Sequence, residues 1–210
     1  MVLLISTRLS SASGGEGLTD SERRGIDQGE LIVKTREVEG YPWPEVTVYR
    51  RIAASPEEVM AAYADFESQV GYLPNLVESR IVKRVSRTSF HVSYESEVTG
   101  PNERYTVQVA LSRFPGGLQV TWDPVTARFA RRLSGQMKVA AFGSGTLIEY
   151  AHRVDPGFFG VRLGSPGTTV RQLRETVHAL ATYVERLHIE QQEKLRALTH
   201  TLASMLGEPE

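Results

Sequence analysis

His152 stands in an alternating run with Ile148, Tyr150 and Val154. Alternation at period two places these four side chains on one face of a strand. An imidazole among apolar neighbours suits acid/base work, or the holding of one polar atom of a ligand. Tyr94 alternates in the same way with Phe90, Val92 and Val98, and its phenol is a second candidate proton carrier. His152 and Tyr94 are therefore the candidate catalytic residues. A structural hydrogen bond accounts for either one equally well, because a buried hydroxyl or imidazole needs a partner whatever the protein does.

Other chemistries find less in the chain. There is no cysteine, which removes disulfides, thiolate metal sites and cysteine nucleophiles. His91 alternates with Ser89, Ser93 and Glu95 and belongs to a solvent face; His178, His188 and His200 fall in helical pattern at spacings of ten and twelve. With no His-Glu-x-x-His pair and no carboxylate cluster, neither a metal site nor a cofactor is expected. Gly157, Gly160, Gly164 and Gly167 lack the Lys-Ser/Thr of a phosphate loop and read as a flexible gate before the last helix. Arg128, Arg131 and Arg132 read as a solvated turn, with anion contact as the alternative. No Ser-His-Asp or Ser-x-x-Lys set can be assembled.

The element that must position the candidates runs from Thr169 to about His188. Leu173, Val177, Leu180, Val184 and Leu187 recur at steps of four and three, which makes one apolar helix face. Pro166 and Gly167 break the chain before it, and Thr169 with Gln172 can form a capping box. Such a stripe needs a broad apolar surface, and the preceding 90 or so residues supply strands in a row. Val46, Val48 and Ile52 share a face. Ser55-Pro-Glu-Glu58 starts a short helix, with Val59, Met60, Tyr63 and Phe66 on its apolar side, and a second helical turn ends at Gly71-Tyr-Leu-Pro-Asn75. Strands follow over about 77–85, 88–99, 105–114, 118–122, 133–142 and 146–154, joined by turns at Gly116-Gly117 and Gly143-Ser-Gly145. Consecutive hairpins imply an antiparallel sheet with one apolar face, for which the helix stripe is the cover.

The flanks look different. Residues 6–29 are rich in Ser, Gly and charge and read as a loosely attached arm. Leu31 to Val38 is a possible short strand, and Gly40-Tyr-Pro-Trp-Pro44 is an extended lead-in in which Trp43 is a plug over the core or a ligand contact. At the other end Leu195, Leu198, Leu202 and Met205 resume the stripe after Gln191-Gln192. One helix from Thr169 to Met205 would be ~55 Å long, beyond the ~30 Å a sheet offers, so these four need the arm or a second copy to cover them. A homodimer through this extension is the expectation.

The 210 residues carry a formal net charge of -1 and 40% hydrophobic residues, enough for a sizeable core and with no bias toward nucleic acid. No apolar run nears the ~20 residues of a membrane helix. Met1 to Ile5 is too short for a signal-peptide core and no basic residue precedes it, so a cytoplasmic protein is the default, with a leader lost through a misplaced start left open.

The order of elements resembles the START-like superfamily (SRPBCC), also described as polyketide cyclase/dehydrase and lipid-transport proteins, with the helix-grip fold. Ser55-Pro-Glu-Glu-Val-Met60 resembles the family's first helix start. Ala64-Asp-Phe66 with Tyr72-Leu-Pro-Asn-Leu76, and Gly145-Thr-Leu-Ile-Glu-Tyr150, resemble its middle segment and last strand. Met60 and Tyr72 stand where the family often has tryptophan. The resemblance covers roughly residues 45–190. It implies an α+β fold in which a curved antiparallel sheet of about seven strands wraps the long C-terminal helix, with two short helices after the first strand. Residues 1–44 form the arm and lead-in, and 191–210 a helical extension. The resemblance further implies a cavity between sheet and helix. Tyr63, Phe90, Tyr94, Tyr105, Val107, Trp122, Met137, Ile148, Tyr150 and His152 would line it, with Ser96, Gly135 and Ala141 leaving room. Its occupant would be a hydrophobic small molecule such as a lipid, quinone or polyketide-like compound. A cyclase or aromatase of the same fold and a ligand-free partner-binding module are the alternatives.

Overall fold

The long C-terminal helix and the sheet it lies in are where the sequence pattern places them. The computed structural model describes residue 15 and residues 17–98, 101–157 and 164–207. The elements run α1 (Asp20–Asp27), β1 (Ile32–Arg36), β2 (Glu45–Ile52), α2 (Pro56–Ala64), a 3₁₀ turn (Phe66–Gly71), β3 (Leu76–Arg84), β4 (Ser89–Ser96), β5 (Glu103–Phe114), β6 (Gly117–Ala127), β7 (Arg132–Phe142), β8 (Gly145–Asp155), α3 (Pro166–Glu190) and α4 (Gln192–Leu206). The strands form one antiparallel sheet in the order β1-β2-β8-β7-β6-β5-β4-β3, so the strand foreseen at 31–38 brings the count to eight.

Helix α3 buries Leu173, Val177, Leu180, Ala181, Tyr183, Val184 and Leu187, the expected stripe widened by two residues. They join one core with Val46, Val48 and Ile52 of β2, the α2 face and the inward residues of β4 to β8. The helix begins a turn earlier than the Thr169–Gln172 pair suggests. Ser165 is its N-cap, its hydroxyl accepting from the Thr168 N–H at 3.2 Å, and Pro166 takes the first helical position. The start of α2 is as read, with Ser55 and Glu58 in a reciprocal capping box.

Both flanks depart from expectation. Over its described part, the stretch read as a loose arm contains α1, capped by Thr19 and Glu22 as a second capping box. Ile26 is fully buried and packs with Leu18 against Tyr49 and Leu147 on the outer face of the sheet, and Lys34 of β1 pairs with Glu22 at 2.8 Å. Two apolar residues in a polar stretch give too weak a periodicity to be seen, yet they suffice because Tyr49 and Leu147 offer an apolar patch on the other side of the sheet. The extension is likewise not a continuation of α3. The chain leaves helical geometry at Gln191 (φ −136°, ψ 45°), and α4 folds back over α2. Leu195 and Leu202 are buried there, with Leu198 and Met205 packed at the edge of the same core. The stripe that called for an arm or a second copy is covered by α2 of the same chain. Lys194 of α4 donates to the Tyr183 hydroxyl at 3.0 Å, and the Tyr183 ring stacks on Tyr72 at 4.1 Å. No helix among the described residues is long and apolar enough to cross a membrane.

Candidate functional site

The inner face of the curved sheet does not press fully onto α3. Toward the start of the helix an interior space of about 210 Å³ remains. Its walls are the 73–76 turn, Ser96 at the end of β4, Tyr105 of β5, Leu133 of β7, Tyr150 and His152 of β8, and Gln172, Leu173 and Thr176 of α3. A second chamber of about 80 Å³ adjoins it, walled by Tyr63, Gln69, Tyr94, Val107, Val109 and Trp122. Leu73, Leu76, Tyr105, Leu133, Tyr150 and His152 border both, so the two chambers adjoin. The geometry follows from alternation in β5 to β8, whose odd or even residues all point inward in the observed registers, with Trp122 opposite Gly135 and Gly135 opposite His152.

Seven of the ten residues expected around the space border it: Tyr63, Tyr94, Tyr105, Val107, Trp122, Tyr150 and His152. Phe90, Met137 and Ile148 are packed core, essentially without exposure. Of the small residues, only Ser96 leaves room. A Cβ on Gly135 would lie 2.5 Å from the Trp122 ring, so the indole already occupies that gap. Ala141 is exposed at the end of β7, where the sheet runs past the helix. Trp43 is half-buried and does not border the space. Leu73, Leu76, Leu133 and Leu173 were missed as wall residues, because aliphatic positions in a strand or helix pattern carry no mark that tells a wall from a core. Gly160 and the middle of the expected gate lie outside the described residues.

The aromatic lining is tightly organised. Trp122 and Tyr150 have ring centroids 5.1 Å apart, Tyr94 and Tyr105 5.3 Å, and the His152 ring lies 6.0 Å from Trp122. Burial pushes the phenols of Tyr63, Tyr94 and Tyr150 well above their usual range, and that of Tyr105 up as well, so all four stay protonated. The Tyr63 and Tyr150 hydroxyls lie against each other, Tyr105 against Ser96, and Tyr94 against Ser79. His152 is shifted the other way. Burial first, and the charge of Arg153 second, pull it from 6.5 to about 4, so it is neutral at neutral pH.

That shift links to stability. Between pH 6.5 and about 4 the unfolded chain takes up a proton on this residue that the folded chain refuses. The contribution is complete above pH 6.5 and is lost as pH falls toward 4; at ~1.4 kcal/mol per unit it amounts to about 3 kcal/mol. Urea unfolding at pH 7.5 and pH 4 should therefore show wild type losing about that much more stability than His152→Leu. Equal losses would mean that His152 is not held neutral by its surroundings. Glu22, Glu95 and Asp155, whose carboxyls are held below their usual range by hydrogen bonds and basic partners, titrate in both proteins and cancel in the comparison.

Apart from Glu97, which is exposed, the remaining charged groups near the space are structural. Glu103 is buried and accepts from the backbone N–H groups of Arg128 at 3.0 Å and Phe129 at 3.0 and 3.1 Å, which pins the end of β6 to β5. Arg132 pairs with Asp155 at 3.0 Å and Arg128 reaches the Asn102 carbonyl, so the arginine cluster is tied to the chain on two sides. No group of potential metal ligands exists among the described residues.

Comparison with known proteins agrees with this architecture. No curated protein matches the sequence. Among solved structures, a STAR-related lipid transfer protein fragment from Xanthomonas axonopodis superposes with a TM-score of 0.63 at 19% identity, over 74% of this chain and 93% of that one. Human STARD10 gives 0.65 at 12% identity over 91% and 90% of the two chains. The Zhui aromatase/cyclase from Streptomyces sp. R1128 gives 0.52 at 17%, over 77% and 98%. At these identities the likeness is one of fold. The family described as polyketide cyclase / dehydrase and lipid transport matches residues 44–185, from the lead-in to β2 through the gripped part of α3. That stretch is more than half of the 210 residues and contains β2 to β8, α2 and most of α3, and the chain belongs to this family.

Proposed function

We propose that the protein binds a hydrophobic small molecule in the space between the sheet and the first turns of α3. The observation that carries this reading is the pair of adjoining chambers between the 73–76 turn and Trp122, behind walls of leucines and aromatic rings. Packed cores leave few spaces of this size, since each void costs dispersion contacts that its lining could otherwise make. Apolar walls with a few polar tips are the usual make-up of a small-molecule site. At about 210 and 80 Å³ the chambers suit a compact ring system or the end of a chain, not a whole membrane lipid.

The acid/base reading of Tyr94 and His152 draws less support. A phenol pushed far up and an imidazole held at about 4 are poorly matched for passing a proton near neutral pH. Both serve better as hydrogen-bonding anchors. The lipid-transfer and cyclase names of the relatives fit a binding site of this kind equally.

Titration of the Trp43→Phe protein with Prodan, an uncharged polarity-sensitive naphthalene dye, tests the reading. Binding should shift the dye emission to the blue and alter Trp122 fluorescence, saturating at one dye per chain. Leu133→Phe, which puts a larger side chain into both chambers, should weaken binding at least tenfold. It should cost less than the roughly 1–3 kcal/mol that overfilling a packed core does. No dye response, together with strong destabilisation by Leu133→Phe, would make the space a solid core.

A further inference from the structure

We propose that the cavity selects an uncharged apolar ligand that carries a carbonyl oxygen, and that His152 is the residue that reads this oxygen, through Nε2. The inference rests on the binding reading above and says which ligands it admits.

The first line of support is charge. Among the described residues, no lysine or arginine borders either chamber. The acidic residues there are Glu97, which is exposed, and Glu103, whose carboxylate is already engaged by backbone N–H groups. A fatty-acid carboxylate or a phosphate drawn into this space would lose its water with no cation among the described residues to meet it, and would approach the carboxylates of Glu97 and Glu103. The wall therefore rejects anions and accepts neutral molecules.

The second line is the state of the polar groups in the wall. The hydroxyls of Tyr63 and Tyr150 lie against each other, Tyr105 lies against Ser96, and the Gln69 amide donates to the Tyr63 carbonyl at 2.9 Å. His152 differs. Its Nδ1 is enclosed and has no hydrogen-bond partner, while the ring borders both chambers beside Trp122. A neutral imidazole carries one proton on one of two nitrogens. Buried N–H groups without an acceptor are rarer than buried acceptors without a donor, so Nδ1 is the bare nitrogen and Nε2 holds the proton. Nε2 is the nitrogen that is not enclosed, and its N–H is a donor with no acceptor among the described residues. A ligand carbonyl supplies that acceptor; a hydrocarbon does not. One such bond is worth roughly a three- to tenfold difference in affinity.

Three probes with the same fused ring separate the possibilities: 2-acetylnaphthalene, 2-ethylnaphthalene and 2-naphthoate, measured by calorimetry against the full chain at pH 7. The ketone should bind three- to tenfold tighter than the hydrocarbon, and the carboxylate weakest of the three. In His152→Leu the ketone and the hydrocarbon should bind alike. In wild-type protein, the ¹⁵N resonance of His152 Nε2 should move on adding the ketone and stay on adding the hydrocarbon. This measurement needs no variant and decides the matter if His152→Leu is poorly folded. Equal binding of ketone and hydrocarbon by wild type, a ketone preference that survives in His152→Leu, an unmoved Nε2 resonance with the ketone bound, or tightest binding of the carboxylate overturns the proposal while leaving the binding reading intact. Failure of all three probes to bind overturns both.

Discussion

Leu180→Asp will leave the protein without a cooperative folded state. Leu180 lies at the middle of α3, has no exposed surface, and sits where the helix meets the sheet and α2. Losing the leucine's burial costs about 2–3 kcal/mol, and placing a carboxylate among apolar side chains with no cation beside it costs several more. A domain of this kind has about 5–15 kcal/mol to lose. Circular dichroism should show no sharp melting transition and gel filtration an expanded or aggregated species. Thr182→Asp puts the same charge on the exposed side of the same helix and should melt within a few degrees of wild type. A soluble, sharply melting Leu180→Asp protein would mean that the grip is not what holds the sheet and helix together.

The grip was legible because each of its parts repeats. Val46-Val48-Ile52, the alternation through 133–154 and the α3 stripe each give several residues in phase, and a buried face in one element demands one in another. The hydrophobic wall was legible mainly in its aromatic members, which stand out by type, with Val107 the one aliphatic residue read correctly. Whether Met137 or Leu133 faces the open space depends on a displacement of one strand against one helix by less than a side chain, and no local pattern encodes that. Gly135 shows the same limit from the other side: as a sequence it reads as room for a ligand, but the partner opposite it, Trp122, fills the room. What the flanks do was hidden for a different reason. Ile26 and Leu18 make sense only against Tyr49 and Leu147, which in their own strands read as outward-facing and therefore as solvent-exposed.

Removing residues 192–210 should cost the fold on the order of 5 kcal/mol and lower its melting temperature by roughly 10–20 °C. Helix α4 lies outside the part that matches the family, and it fills a structural role there: it closes the core over α2. Leu195 and Leu202 are buried to the degree of any core leucine, and each contributes about 1.5–3 kcal/mol by burial alone. Leu198, Met205 and Leu206 add partial burial at the edge. The loss also uncovers the α2 side of the contact, so the shortened chain gains an apolar face that favours association. It loses the Lys194–Tyr183 hydrogen bond as well, which braces the Tyr72–Tyr183 stack next to Leu73 at the mouth of the cavity. The double substitution Leu195→Ala, Leu202→Ala in the full chain should reproduce most of the effect, since each truncation leaves a cavity worth about 2–5 kcal/mol. Two measurements separate this account from the expectation of a dimer built on the extension. If α4 serves the core, the shortened chain melts earlier and its mass in solution rises. If α4 is an interface between copies, the shortened chain falls from dimer to monomer and its melting at low concentration does not change. The second result would return the Leu195–Met205 stripe to the role its sequence first suggests.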